Sequence, residues 1–308
     1  MRPSDYQTTI TVQQQIIPRV SADISYTHRT FHGFFVTDDL NRNVATGYET
    51  YTLTAPSDPR LPGGGGYPIV VYTPTAAAGA VPAKAYLTKE TDFGPERDSH
   101  FNSFGVTVNA RLRNGLITSI GVGTGRAVVD TCQTVTKFNN VVGTLESPDP
   151  RGCHNIDPYQ TTVRGLASYM VPKVDVLVSA TVRSQPPSQL TAGWQVPNTV
   201  IQQSLGHLPF AALANGTTTI QLTENSNKLW VDNRRTQLDM RFAKILRFGH
   251  TRSDIGIDLN NLLNNDYATG YNTTYIYNTD NTPRPGGWGV PTSIYTPRFV
   301  RINYTIDF

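Results

Sequence analysis

Segments with two chemically different faces recur along this chain, and their connections alternate strictly between very short and very long. In the last segment, VRINYTIDF, Val300, Ile302, Tyr304, Ile306 and Phe308 take one face while Arg301, Asn303, Thr305 and Asp307 take the other. The pattern repeats at 251–259, where Ile255, Ile257 and Leu259 oppose Asp254 and Asp258, and at 235–248, where Leu238, Met240, Phe242, Leu246 and Phe248 oppose Asp239, Arg241 and Arg247. It returns at 173–183 (Val174, Val176, Val178, Ala180 and Val182 against Asp175, Ser179, Thr181 and Arg183, with Leu177 an exception) and more weakly at 160–171, where Leu166 breaks it. Residues 117–130, 103–112, 20–29 and 8–16 continue it toward the N-terminus. A period of two over this length specifies strands with unlike faces, about ten in all.

Short turns are expected at IPR (17–19), RNGL (113–116), VPK (171–173) and GHT (249–251), and long connections over roughly 37–100, 131–159, 184–234 and 260–297. A soluble sandwich has no reason to sort its loops by length onto opposite ends. An outer-membrane barrel does, with tight turns on the periplasmic side and long loops outside. Strands of about ten residues match a tilted bilayer crossing, which places the apolar face against lipid and the Arg, Asp, Asn and Thr face against water. On that face Val176 is expected at mid-membrane, and Lys244 strains the pattern near a turn from which its stem can snorkel. The expected fold is therefore an all-β, antiparallel, up-and-down transmembrane β-barrel segment.

Composition agrees. Charged residues are 16% of the chain, against roughly 25% in an average soluble domain, and no window shows helical spacing of apolar residues. A mean hydropathy of −0.32 suits a wall in which only alternate residues meet hydrocarbon. The net charge of +3 is scattered among acids, unlike the clustered footprint of a nucleic-acid binder. No run of eighteen apolar residues makes a transmembrane helix, and MRPSDYQTTI lacks the apolar core of a signal peptide, so either the protein is cytosolic or its true beginning is missing. Cys132 and Cys153 are either unrelated thiols or a disulfide closing a loop of about twenty residues; pairing would stabilise by about 3 kcal/mol and require an oxidising compartment.

The stretches QQQIIPRVSADISYTHRTFHGFFVTD, APSDPRLPGGGGYPI, FNSFGVTVNARLRNGL, GTGRAVVDTC, RRTQLDMRFAKILRFG, DIGIDLNNLLN and VRINYTIDF are spread over nearly the whole chain. Together they resemble the C-terminal part of a TonB-dependent outer-membrane receptor, of the type that carries a carboxypeptidase-regulatory-like domain before its plug. The resemblance implies that 1–308 belongs to a barrel of about twenty-two strands, closed around a plug that this sequence lacks together with the N-terminal strands. It further implies uptake of a siderophore, oligosaccharide or peptide, energised by the TonB complex through the plug, and location in the bacterial outer membrane. Tyr304, Ile306 and Phe308 resemble the signal read by the barrel-assembly machinery. The alternatives are a self-contained ten-stranded barrel acting as pore, adhesin or membrane-embedded hydrolase, and a soluble β protein binding carbohydrate.

Candidate substrate-path residues on the wet face are Arg111, Asp175, Arg183, Asp239, Arg241, Asp254, Asp258 and Arg301, whose plainer role is cross-strand pairing. Tyr67, Tyr72, Trp194, Tyr271, Tyr275 and Trp288 are candidate ligand contacts in the long loops, and GGGG (63–66) is expected to be a flexible bend. GVGTG (121–125) misses the spacing of a nucleotide loop. His28 and His32 share a face but lack a third metal ligand. No nucleophile, base and orienting acid recur together, so neither catalysis nor a cofactor is expected.

Overall fold

The computed structural model describes residues 2–137, 153–210, 212, 214, 216–223, 229–231, 234–248, 251–276 and 287–307. Nine long strands form one antiparallel meander in which each pairs with its sequence neighbours: β1 (Ser4–Ile17), β2 (Val20–His32), β3 (Asp98–Arg111), β4 (Leu116–Asp130), β5 (Gln160–Val171), β6 (Val176–Gln185), β7 (Arg235–Phe248), β8 (Thr251–Asn260) and β9 (Phe299–Asp307). The tenth member of the sheet is a short ribbon, His154–Ile156, paired with the end of β4. The chain is thus all-β and up-and-down, as the alternation requires. Among the described residues β1 and β9 each have a single neighbour in the sheet, which is therefore open.

The two faces separate as the period of two dictates. Val12, Ile24, Val106, Val122 and Val163 lie opposite one another across five strands, and Val178, Phe242, Ile257 and Ile302 across four more. Among the described residues nothing packs over this face: Ile10 is 61% exposed, Ile24 55%, Ile120 51% and Ile302 75%. Patches larger than a few hundred Å² are rare on soluble monomers, so a nine-strand apolar face needs an apolar surrounding.

Short turns close one end of the meander. Pro18 and Arg19 join β1 to β2, and Gly115, at φ 89°, supplies the left-handed residue before β4. Between β5 and β6 the turn runs over residues 172–175, longer than VPK suggested, because Lys173 and Asp175 adopt φ of 71° and 46°. Val174 and Asp175 therefore leave the strand, and Val176 becomes its first residue, beside the turn and opposite Lys244. Val176 is not at mid-span. Lys244 Nζ donates to the Val174 carbonyl, so its ammonium is taken up at the turn. Residues 249–250 of the expected GHT turn lie outside the described residues.

The first, third and fourth long connections fold together at the other end into a cap with its own core. Tyr51, Leu53, Ala55, Leu61, Ile69 and Val71 from the first connection pack with Leu190, Ala192, Trp194, Val196, Ile201, Ile220 and Leu222 from the third and with Tyr275 and Trp288 from the fourth. Small two- and three-stranded sheets carry these residues, including Tyr48–Thr54 with Pro68–Pro74 and Gly193–Pro197 between Thr217–Gln221 and Thr274–Tyr275. The glycine run is an ordered turn rather than a flexible bend. Gly66 donates to the Ala55 carbonyl and Asp58 to the Gly64 carbonyl, and a Cβ on Gly65 would lie 1.8 Å from the Pro56 carbonyl oxygen.

Candidate functional site on the polar face of the wall

The polar face divides into compensated and uncompensated charge. Near its β9 edge, Asp258 stands between Arg241 and Arg301 in register. Arg241 Nη1 donates to Asp258 at 3.4 Å and Nη2 to Asp254 at 2.8 Å, while Arg301 Nη2 and Asn303 Nδ2 reach Asp258 at 3.1 and 2.8 Å. Gly256, between the two acids, leaves room for the guanidinium: a Cβ there would approach Arg241 Nη2 to 3.1 Å and Asn303 Oδ1 to 2.6 Å. Arg241, Asp254, Asp258 and Arg301 thus satisfy one another. Arg241, Asp254 and Arg301 are partly solvated while Asp258 is buried, and the solvated Arg241–Asp254 pair contributes about 0 to 1 kcal/mol.

The other expected path residues separate. Asp175 sits in the short turn, where Arg247 Nη1 lies 3.6 Å away, and is not a wall residue. Arg111 ends β3 and lines a recess of about 670 Å³ at the short-turn end with Gln13, Gln15 and Arg19. Asp239 accepts from the Asn261 backbone at 2.8 Å and from Gln237 Nε2 at 2.7 Å. Arg183 has no carboxylate within ion-pair distance among the described residues; its Nη2 and Nε donate, at 2.7 and 3.3 Å, to the oxygen of the correctly oriented Gln185 amide.

Arg183 stands directly opposite Arg164 of β5, and Arg235 of β7 stands opposite Gln185, one step along the same face. The Nε of Arg235 is buried without a partner. Beside them Tyr267 and Tyr295, from the connection between β8 and β9, stack at 4.8 Å. Burial pushes both phenols above the ordinary tyrosine range, with Asp239 adding to the rise and Arg183 opposing it. Arg164, Arg235, Tyr267 and Tyr295 carry no motif. Only the register reveals them.

The cap aromatics are corrected by their burial. Trp194 is 7% exposed, Tyr275 1% and Trp288 4%, and Tyr67 and Tyr271 pack against the same core. Tyr275 donates to Asp58 at 2.9 Å, Trp288 Nε1 to the Thr191 carbonyl at 2.8 Å and Tyr67 to the Leu222 carbonyl at 2.7 Å. They pack in or against the core that holds the cap together. Arg60 completes the junction with Nη2 2.7 Å from Asp58 and its guanidinium 5.1 Å from the Trp288 ring. The Asp58 carboxyl is driven up by burial, but hydrogen bonds from Arg60 and Tyr275 and the Arg60 charge more than offset this and hold it below the usual carboxylate range.

Cys132 and Cys153 form a disulfide at the base of the second connection. Tyr304 and Ile306 lie on the exposed apolar face, 58% and 39% exposed; Phe308 lies outside the described residues. His28 hydrogen-bonds Asn102 at 2.7 Å and His32 pairs with Glu96 at 3.4 Å. No cluster of three or more metal-ligating side chains occurs among the described residues. GVGTG lies inside β4, which continues as strand to Asp130.

No family model matches this chain, and no curated protein does. Among solved structures the chain is similar to the outer membrane transporter YddB from Escherichia coli, at 12% identity and a TM-score of 0.45, over 98% of this chain and 32% of that one. The chain therefore spans about a third of that transporter's length.

Proposed function

We propose that this chain is part of the wall and external cap of a bacterial outer-membrane β-barrel, in an energised, TonB-dependent importer and not in an enzyme. The observation that carries the proposal is the uncovered apolar face: alternate residues of nine strands present Val, Ile, Leu, Phe and Tyr to the outside of the sheet. Only a closed barrel satisfies every backbone group of such a sheet in lipid, so the open sides of β1 and β9 call for further strands. A plug, the TonB complex reached through it and the barrel-assembly machinery are the remaining partners in this proposal, and the solute is a siderophore, an oligosaccharide or a peptide. Short turns at one end and a folded cap at the other fit a wall whose sides meet periplasm and exterior.

Two fluorophore positions test the orientation. A bimane label at Val106→Cys is expected to be quenched by nitroxide lipids after folding into vesicles, and one at Thr107→Cys by aqueous iodide. Equal iodide quenching at both positions rejects the lipid-facing assignment. Energy coupling is checked separately, as loss of solute uptake by cells treated with a proton-motive-force uncoupler.

A further inference from the structure

We propose that Arg164, Arg183 and Arg235 form a binding site for an oxyanion, the carboxylate or phosphate group of a solute, on the polar face of the wall. This rests on the proposal that the face lines an aqueous interior. Arg164 and Arg183 are cross-strand partners, and like charges directly opposite one another destabilise a sheet. Near the β9 edge and on β2 the wall matches cations with acids: Arg241 and Arg301 meet Asp258, and Arg29 meets Asp5 at 2.7 Å. Among the described residues Asp239 is the carboxylate that shares the surroundings of Tyr267 with Arg183 and Arg235, and a backbone N–H and Gln237 already occupy it. The buried, unpartnered Nε of Arg235 points to a missing acceptor.

Arg164, alone of the three, also borders a recess of about 500 Å³ toward β3 and β4, floored by Gly121 and Gly123 and edged by the hydroxyl-bearing Thr107, Ser119 and Thr162. Arginines on successive strands are within reach of a shared anion, to which a guanidinium donates in a planar fork. The stacked Tyr267–Tyr295 pair beside them offers an aromatic surface to the rest of the solute.

The test is calorimetric titration of the complete barrel that contains this wall, folded in detergent micelles at low salt, with citrate in one arm and inorganic pyrophosphate in the other. Saturable binding in the citrate arm identifies a carboxylate ligand and in the pyrophosphate arm a phosphate ligand. Arg164→Gln and Arg183→Gln are each expected to weaken binding about tenfold, the loss of a charge-assisted hydrogen bond, while Arg29→Gln leaves it within about twofold because that residue lies outside the cluster. Arg183→Gln is also expected to raise the melting temperature in anion-free buffer by removing the like-charge contact. Absence of saturable binding in both arms, or equal weakening by Arg29→Gln, overturns the site. The lipid-quenching result is independent of either outcome.

Discussion

An arginine placed on the apolar face separates a lipid-facing wall from a soluble sheet. Val106 lies on β3 five residues before the turn-end residue Arg111. At about 3.3 Å per residue and a tilt of about 40°, it stands about 13 Å from the turn end of an apolar band about 25 Å tall, close to its middle. It is 44% exposed, with Ile24 and Val122 on either side. Val106→Arg is therefore expected to cost about 2 to 4 kcal/mol in a bilayer. Val176→Arg, beside the turn and next to Lys244, is expected to cost about 0 to 1 kcal/mol, because near the interface the guanidinium reaches water. The assay is reversible denaturant unfolding in lipid vesicles, followed by tryptophan fluorescence, with both variants compared with the parent chain. A soluble sheet would tolerate either change within about 0.5 kcal/mol. If Val106→Arg costs no more than Val176→Arg, the depth dependence is absent and the face does not meet hydrocarbon.

Reduction of the disulfide, or Cys132→Ser, is expected to lower stability by about 3 kcal/mol on the loop-entropy model for a separation of 21 residues; denaturant midpoints with and without reductant check it, and coincident curves contradict it. Tyr275→Phe removes one hydrogen bond from the buried Asp58 carboxylate and is expected to cost about 1.5 kcal/mol, read from the same midpoints. Because the Asp58 pKa is depressed in the folded state, its contribution is fully present above the unfolded value of about 3.9 and is lost as pH falls through the folded one. Trp288 emission should therefore shift only below a pH of about 4, and a transition near neutrality would contradict the assignment. His207, by contrast, has its pKa raised, first by its hydrogen bond to the Leu208 carbonyl and then by Glu49. Its contribution is present below a pH of about 6.5 and disappears as pH rises through the folded value. In an NMR titration Glu49→Gln should lower the His207 midpoint, and an unchanged midpoint excludes the pair.

Strand positions were legible because face alternation is a local property: β4, β5 and β7 begin and end within a residue of where the pattern places them. The cap was not legible. Tyr275 and Asp58 are 217 residues apart, and Arg60 and the Trp288 carbonyl 228, so neither segment alone shows that its aromatic or its acid has a buried partner. Trp194, Tyr275 and Trp288 read as exposed loop aromatics for that reason. Ordering them takes a core drawn from three connections, and the entropy of closing such loops grows only slowly with their length. Long insertions between wall strands are therefore no obstacle to a compact cap once enough apolar surface meets.

The charges on the wall show what alternation leaves open. Parity assigns Arg183 and Arg241 to the same face, but only register decides that Arg241 meets Asp258 while Arg183 meets Arg164. That register is set by the turn. Polar residues occupy even positions on β5, such as Arg164, and odd positions on β6, such as Arg183, so a regular ladder keeps them on one side only if the connection holds an even number of residues. Residues 172–175 meet this condition through the positive φ of Lys173 and Asp175; a turn of odd length would send one arginine to the apolar face unless a bulge absorbed the slip. The two arginines are thus held face to face by the geometry of a turn at the far end of the hairpin, with no attraction of their own, and that geometry makes an anion the natural third member of the group.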